Sequence, residues 1–121
     1  MKRDMDLIRE ILLDIEKVPA GGFWDVDAFA VNRDRNEVLY TLRIMEQHSM
    51  VSECTSETMD GLDFVGNAVC ILPAGYDFLD ASRNNTVWTK FKDKVKNEGV
   101  SFTFSIAIKL LKKLAEESVL G

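Results

Sequence analysis

Residues 27–72 read DAFAVNRDRNEVLYTLRIMEQHSMVSECTSETMDGLDFVGNAVCIL, and the order of local patterns in this stretch decides the fold. Asp27 suits the cap of a very short helix over 28–31, and Asn32 suits the cap of a longer helix over 33–47. Apolar side chains recur at helical spacing in the longer segment, at Val38, Leu42 and Met45. The pattern therefore predicts two helices joined by a turn.

The second half of the same stretch predicts a β-hairpin. Residues 51–55 and 65–72 are expected to form its arms, and residues 60–63, with the sequence Asp-Gly-Leu-Asp, its turn. In this register Cys54 and Cys70 lie at equal distances from the turn and are placed to face each other. The register stays open, because a long tip fixes it only loosely.

Helical patterns flank this stretch on both sides. Residues 4–17 predict an amphipathic helix with an apolar stripe of Met5, Ile8, Ile11, Leu12 and Ile15. Residues 23–26 predict one brief strand or an extended connector. Three further helices are expected after the hairpin: one from Pro73 to about residue 83, one capped by Asn85-Thr86 and closed by Gly99, and one that starts near Ser101 or Thr103.

Helix, short helix, longer helix and hairpin follow one another as in a winged helix-turn-helix protein. Residues 27–47 would form the helix-turn-helix, and residues 51–72 the strands and the wing. We therefore predict a mostly helical α+β fold, a winged helix-turn-helix with a two-stranded hairpin and a C-terminal helical extension. We expect a single winged-helix-like domain over residues 1–121, with the core and wing in 1–72 and the C-terminal helices in 73–121.

Three stretches carry a resemblance to a known family: MKRDMDLIREILLDIE at 1–16, AGYDFLDASRNNTVWTKFKDKV at 74–95, and the closing amphipathic helix that ends in Leu-Gly. The chain resembles the small bacterial and phage proteins grouped as domain of unknown function 2513. The resemblance covers about residues 1–17 and 72–121 and is weaker over 19–71. It implies a winged-helix-like fold and an occurrence in phages and prophages, and it brings no activity or catalytic residues.

Composition and charge limit the classes of function. The chain has 121 residues, of which 46% are hydrophobic and 29% charged, and its net charge is −5. This acidic balance disfavours a dedicated nucleic-acid binder, although DNA stays an open alternative. No apolar run reaches the length of a membrane-spanning helix, and the N-terminus lacks a signal-peptide pattern. We expect a cytoplasmic protein without membrane contact, whose thiols are reduced.

The longer helix carries the candidate DNA-binding residues, which are Arg33, Arg35, Asn36, Tyr40 and Arg43. Arginine and asparagine are the side chains that pair with guanine and adenine edges, and the first turn of a recognition helix makes most such contacts. Asp34 and Glu37 lie among these residues and would repel phosphate. A solvated helix face and a protein-contact face are the alternatives.

The hairpin tip carries the candidate protein-interaction residues, which are Glu53, Glu57, Asp60 and Asp63. Residues 51–72 contain no lysine or arginine. A wing that grips phosphates is normally basic, so an acidic protein-docking surface or a solvated loop fits this segment better.

Catalytic and metal-binding patterns are sparse in the sequence. His48, Cys54 and Cys70 make up an incomplete zinc set, at a spacing that matches no structural zinc pattern. Neither the histidine nor a cysteine has partners that the sequence identifies as a nucleophilic site. We expect no metal, no cofactor and no enzyme activity.

Two hypotheses of function follow from these observations. The first is a phage- or prophage-type DNA-binding transcriptional regulator, and the second is a non-catalytic winged-helix module that binds a phage or host protein. A homodimer is also expected through the last helix, because its apolar set is wider than one buried stripe needs. That set comprises Phe104, Ile106, Ile108, Leu110, Leu111, Leu114 and Val119.

Overall fold

The structure is a computed structural model that describes residues 4–65, 69–98 and 104–120. The described residues form six helices and one two-stranded hairpin: α1 (Met5–Glu16), α2 (Val26–Phe29), α3 (Arg35–Gln47), β1 (Thr55–Thr58), β2 (Gly61–Phe64), α4 (Pro73–Ser82), α5 (Asn85–Glu98) and α6 (Phe104–Leu120). The mostly helical α+β prediction, with a hairpin following the longer helix, is confirmed. Within these described ranges, no helix is both long enough and apolar enough to cross a bilayer.

The chain divides into two compact units, Met1–Tyr76 and Asp77–Gly121. The first unit contains α1, α2, α3 and the hairpin, and the second contains α5, α6 and the larger part of α4. The expected single domain stays a prediction.

Three helices begin at caps other than the predicted ones. The predicted caps Asp27, Asn32 and Asn85-Thr86 are wrong, and the caps are Asp25 for α2, Asp34 for α3 and Asn84 for α5. In each helix the capping side-chain oxygen accepts hydrogen bonds from two backbone N–H groups of the first turn, at 2.9–3.4 Å. Near each of these helix starts the sequence offers two Asp or Asn residues, the observed cap and the predicted one. Because both residue types cap helices well, residue type alone does not show which of them is the cap.

The hairpin is tighter than the sequence predicts. Thr55 pairs with Phe64 and Thr58 with Gly61, so the connection is only Met59 and Asp60. Gly61 has a φ of 115°, which a residue with a Cβ adopts only with strain, and this places the glycine directly after the turn. The predicted turn over 60–63 and the long arms are therefore wrong. Beyond the hairpin the two segments also pair at Val51 and Ile71, where the N–H groups of Ser52 and Leu72 donate to the carbonyls of Cys70 and Met50.

The new register separates the two cysteines. The backbone carbonyl of Cys54 accepts a hydrogen bond from the N–H of Val65 at 2.9 Å, and the carbonyl of Cys70 accepts one from Ser52. Cys54 is fully buried, whereas Cys70 is exposed. Of the registers that the sequence left open, the structure therefore shows one in which the two thiols do not face each other.

The core of the first unit forms where α1 and α3 pack together with the segment after α3. The predicted stripes of both helices are buried except for the half-buried Met5. The buried set includes Ile8, Ile11, Leu12, Val38, Leu39, Leu42, Met45, Met50 and Val51. The start of α4 approaches this segment closely. An ideal Cβ on Gly75 would lie 2.2 Å from the carbonyl oxygen of Met50, so only glycine fits at that position.

Trp24 fixes the connector between α1 and α2. Its indole Nε1–H donates a hydrogen bond to Asp14 Oδ2 at 2.7 Å, and its ring centre lies 5.7 Å from that of Phe29 and 6.0 Å from that of Phe64. Residues 22–25 are extended and belong to neither strand. Of the two sequence interpretations of residues 23–26, the structure shows the extended connector, with its last residue already in α2.

The second unit has an aromatic centre. The ring centres of Phe78 and Trp88 lie 5.8 Å apart, and those of Trp88 and Phe91 lie 5.2 Å apart in a stacked arrangement. Pro73 opens α4 as predicted. The predicted stop at Gly99 and the predicted start at Ser101 or Thr103 lie outside the described residues.

The apolar set of α6 is only partly covered. Ala107 and Leu111 are buried, Ile108, Leu110 and Leu114 are half-buried, and Ile106 is 48% exposed. The side chains of Phe104 and Val119 lie outside the description. The expected homodimer stays a prediction.

The C-terminus of α3 places a serine in the left-handed region. Ser49 has a φ of 57°, its N–H donates to the carbonyl of Glu46, and the N–H of Met50 donates to that of Met45. These two bonds form a Schellman motif, in which the left-handed residue is usually glycine. The Cβ of Ser49 makes this conformation costly, so the stop of α3 is strained.

We expect Ser49→Gly to stabilise the protein by about 1 kcal/mol, because glycine adopts the left-handed conformation without the Cβ penalty. Urea unfolding followed by circular dichroism measures the change. The control is Gln47→Gly. Gln47 lies two positions before Ser49 and is still helical, so glycine there should destabilise the protein by about 0.5–1 kcal/mol. Destabilisation by both variants would contradict the left-handed assignment of Ser49.

Candidate functional site

The five predicted DNA-binding residues lie at the α2–α3 turn and along α3 in the first unit. Arg33 precedes α3, and the other four are on the helix. Arg35 and Asn36 are exposed at its start, whereas Tyr40 is half-buried. The three arginines differ from the expected free base readers, because each has partners inside the first unit.

Arg33 links the end of α2 to α1. Its Nη1 donates to the backbone carbonyl of Phe29 at 2.8 Å, and its Nη2 lies 3.3 Å from Glu10 Oε2. The guanidinium carbon is 4.1 Å from the centre of the Phe29 ring, which adds a cation–π contact. These contacts hold the guanidinium against the protein.

Arg35 links α3 to α2 and to the hairpin. Its Nε donates to Asp27 Oδ1 at 2.9 Å, and its Nη2 lies 3.8 Å from Asp63 Oδ1. The hydrogen bond to Asp27 is the main reason that the pKa of Arg35 is raised further above its ordinary value. One arginine here faces two carboxylates.

Arg43 links α3 to β1. Its Nη1 lies 3.4 Å from both Glu46 Oε1 and Thr55 Oγ1, and its Nη2 lies 3.3 Å from Glu57 Oε1. Together with Arg33 and Arg35, it shows that every arginine predicted to read bases has a carboxylate partner. Sequence reasoning missed the pairs between elements because the partners lie 8 to 28 positions away along the chain.

The four predicted protein-interaction residues are all exposed on or beside the hairpin. Glu57 and Asp63 take part in the arginine pairs, with side chains 76% and 56% exposed. Glu53 and Asp60 are also exposed. The structure thus keeps an acidic hairpin surface and places part of it against α3.

Glu46 carries a largely covered carboxylate at the junction of α3 and the hairpin, with its side chain 9% exposed. Its Oε2 accepts hydrogen bonds from the backbone N–H of Cys54 at 2.8 Å and of Thr55 at 3.3 Å. Its Oε1 accepts a short hydrogen bond from the Thr55 hydroxyl and pairs with Arg43. Sequence reasoning missed this residue, because a glutamate near a helix end usually indicates a solvated face.

Opposing effects set the pKa of Glu46. Burial acts to raise the pKa, but the hydrogen bonds from Thr55 and Cys54 and the charge of Arg43 outweigh burial and hold it below its usual range. The carboxylate is therefore ionised at neutral pH. It fixes the entry of the chain into β1.

Cys54 lies against the same carboxylate. Burial, the negative charge of Glu46 and a hydrogen bond to Glu46 raise the pKa of the thiol to about 12. The thiol is therefore protonated at neutral pH, which lowers its reactivity as a nucleophile.

The three residues of the incomplete zinc set, His48, Cys54 and Cys70, are not grouped as a metal site. Cys54 is buried and Cys70 exposed, and within the described ranges no three His, Cys, Asp or Glu side chains are grouped to hold a metal ion. The expectations of no metal, no cofactor and no catalysis stay predictions.

We expect Glu46→Gln to destabilise the protein by about 1.5–3 kcal/mol, the range for hydrogen bonds to a charged group. The matched control is Glu57→Gln, whose side chain is 76% exposed. Its effect should stay below about 1 kcal/mol. Urea unfolding at pH 7 measures both variants, and equal losses would contradict the special role of Glu46.

The stabilisation by Glu46 should disappear in acid. Its pKa is lower in the folded than in the unfolded chain, so the unfolded chain binds more protons as pH falls. The contribution is complete above the unfolded value of about 4.3 and is lost as pH falls through the folded value. The stability difference between wild type and Glu46→Gln should therefore shrink as pH falls below the unfolded value. A pH-independent difference would contradict this prediction.

The two thiols should differ in reactivity. In the native protein, a maleimide reagent is expected to label Cys70 and leave Cys54 unmodified, because Cys54 is buried and its pKa is raised to about 12. Mass spectrometry of the labelled chain gives the count. Both cysteines should react in urea, and fast labelling of Cys54 under native conditions would contradict the buried register.

Comparison with known proteins places the chain among relatives without an assigned activity. The sequence model of a family described as "Hypothetical protein (DUF2513)" matches residues 2–101. An "Uncharacterized protein" of Haemophilus influenzae is 28% identical over 104 residues, which cover 85% of this chain and 86% of the relative. No solved structure matches the chain. Since the family match covers most of the sequence, the chain belongs to the DUF2513 family.

Proposed function

We propose that this chain is a non-catalytic protein-interaction module whose acidic first unit binds a basic segment of a phage or host protein. The observation that carries the proposal is the pairing of Arg33, Arg35 and Arg43 with carboxylates. These three cations would otherwise be the strongest features for nucleic-acid binding. With them paired, negative charge dominates the surface of α2, α3 and the hairpin.

The charge balance of the two units supports the proposal. Residues 1–76 contain seven basic and fourteen acidic residues, a formal charge of −7, whereas residues 77–121 contain eight basic and six acidic residues, a charge of +2. The first unit should therefore attract cationic segments and repel a phosphate backbone. The effect will weaken as salt increases.

The scaffold that we propose for this module is a winged helix. The hairpin follows α3 in the chain, and Trp24 brings the extended connector within 6.0 Å of Phe64 on β2. Helix, helix, hairpin is the element order of that fold. In this interpretation α3 occupies the recognition-helix position, and residues 59–60 form the wing tip.

A DNA-binding regulator is the second candidate function. Asn36 is exposed at the start of α3, where a recognition helix contacts base edges. An exposed ion pair is worth only about 0–1 kcal/mol, so DNA is able to displace a carboxylate from an arginine. The base-free hairpin and the surrounding acids oppose such binding.

Binding selections against peptides and DNA should distinguish the two functions. We expect twelve-residue peptides selected from a random displayed library to be rich in lysine and arginine, and to bind the full chain more weakly as salt rises. Fragments of the protein's own genome should show no sequence-selective binding in a salt titration. A selectively bound fragment would overturn the protein-interaction proposal in favour of a regulator.

Removal of two hairpin charges provides the matched variant. Glu53 and Asp60 are exposed, and Glu53→Gln with Asp60→Asn should weaken the selected peptides several-fold at low salt. The control is Glu116→Gln with Glu117→Gln, which removes the same charge from the exposed part of α6. Equal weakening by both pairs would show that only net charge matters and would contradict a specific acidic face.

A further inference from the structure

A shallow groove lies on the first unit between the connector and the end of β2. Its volume is about 700 Å³, and it is lined by Phe23, Trp24, Asp25, Val26, Asp27, Phe64 and Val65. Most of these side chains are apolar. Neither packing in the core nor the arginine pairs accounts for apolar side chains on this open surface.

The exposure of Phe23 is imposed by the anchoring of its neighbour. Trp24 is only 5% exposed and is held by the 2.7 Å hydrogen bond to Asp14 and by the Phe29 and Phe64 rings. Successive side chains of an extended segment point in opposite directions. Because Trp24 points inward, Phe23 points outward and is 70% exposed.

Phe23 does not stand alone on this surface. Val65, which follows β2, is 59% exposed and lines the same groove. The half-buried Phe64, the last residue of β2, also lines it, and its ring centre lies 6.0 Å from that of Trp24. Scattered single apolar residues are ordinary on protein surfaces, whereas neighbouring ones that line one concave site indicate a binding surface.

Carboxylates surround the groove. Asp25 and Asp27 line it, and Asp63 on β2 shares Arg35 with Asp27. Two of these carboxylates share the Arg35 guanidinium and Asp25 lies beside them in the lining, so three negative charges against one positive charge leave the rim negative. An occupant must therefore combine apolar side chains with positive charge.

We propose that this groove docks an extended segment of a partner protein in which an aromatic or aliphatic side chain is flanked by lysine or arginine. The apolar side chain packs against Phe23, Phe64 and Val65, and the flanking cation pairs with Asp25 or Asp27. This assignment rests on the proposed function, since it names the site and the peptide chemistry for the same acidic unit. An apolar anchor with a charged rim is the usual anatomy of such contacts.

The test uses the full chain and two synthetic twelve-residue peptides as probes. One carries two leucines, each flanked by lysines, and the other carries the same lysines with serine in place of leucine. We expect the leucine peptide to bind at least about tenfold more tightly, which corresponds to burial of apolar side chains. In NMR spectra the indole N–H signal of Trp24 should shift and that of Trp88 should stay.

Phe23→Ser is the informative variant. Phe23 is 70% exposed, so the substitution removes little packing, and it should lower the affinity of the leucine peptide about tenfold without changing the fold. The matched control is Val31→Ser, an apolar residue that is 74% exposed and is not part of the groove lining. The control should bind the leucine peptide like wild type.

The outcomes separate the groove from the proposed function. If both peptides bind equally and Phe23→Ser has no effect, the acidic unit attracts cations but the groove assignment is overturned. If neither peptide binds at low salt, the proposed function fails as well. If the wild-type chain has the mass of two chains by light scattering and Phe23→Ser has the mass of one, a second copy fills the groove and the partner assignment is overturned.

Discussion

The largely covered carboxylate of Glu46 is the constraint on which the first unit depends. Glu46 lies in the last turn of α3. Its carboxylate accepts hydrogen bonds from two backbone N–H groups and one hydroxyl of residues 54–55, where the chain enters the hairpin. An unpaired buried carboxylate would be very costly, so these donors and Arg43 must all be in place at once. A single side chain thereby sets the position of β1 relative to α3.

That position has consequences for the surface. Once β1 is fixed, Glu57 comes within 3.3 Å of Arg43, and Asp63, on the paired strand, comes within 3.8 Å of Arg35. The arginines of α3 are therefore neutralised by the hairpin that follows them in sequence. Each exposed pair contributes little to stability, but together the pairs offset the positive charges of the arginines on this surface. The same geometry that positions the hairpin thus leaves α3 with paired arginines.

Much of the fold could be predicted from local patterns. The stripes of α1 and α3 are long and periodic, Pro73 opens α4, and the helix–hairpin order is clear. The hairpin register was wrong because the apolar run at 69–72 looked like a paired strand, whereas Gly61 closes the turn earlier. Turn geometry outweighed hydrophobic pattern, and the cysteine pairing failed with it.

The candidate site was less accessible to sequence reasoning. The acidic character of the hairpin could be predicted from its composition. The partners of the arginines and the covering of Glu46 depend on contacts between elements that are distant in sequence, and could not. The sequence of a helix face with three arginines is the same whether their charges are free or paired with carboxylates. Only the placement of Glu10, Asp27 and Glu57 shows that they are paired.

Trp24 contributes both to the packing of the first unit and to the lining of the groove. Its hydrogen bond to Asp14 and its contacts with Phe29 and Phe64 tie α1, α2 and β2 together, so the connector is part of the packed unit. Phe23 is exposed next to this anchored residue, and an exposed side chain that is already positioned would lose less entropy in any contact than a mobile one. An exposed aromatic on a flexible loop would collapse onto the nearest apolar surface. Held beside an anchored tryptophan, it stays available as one wall of a preformed groove.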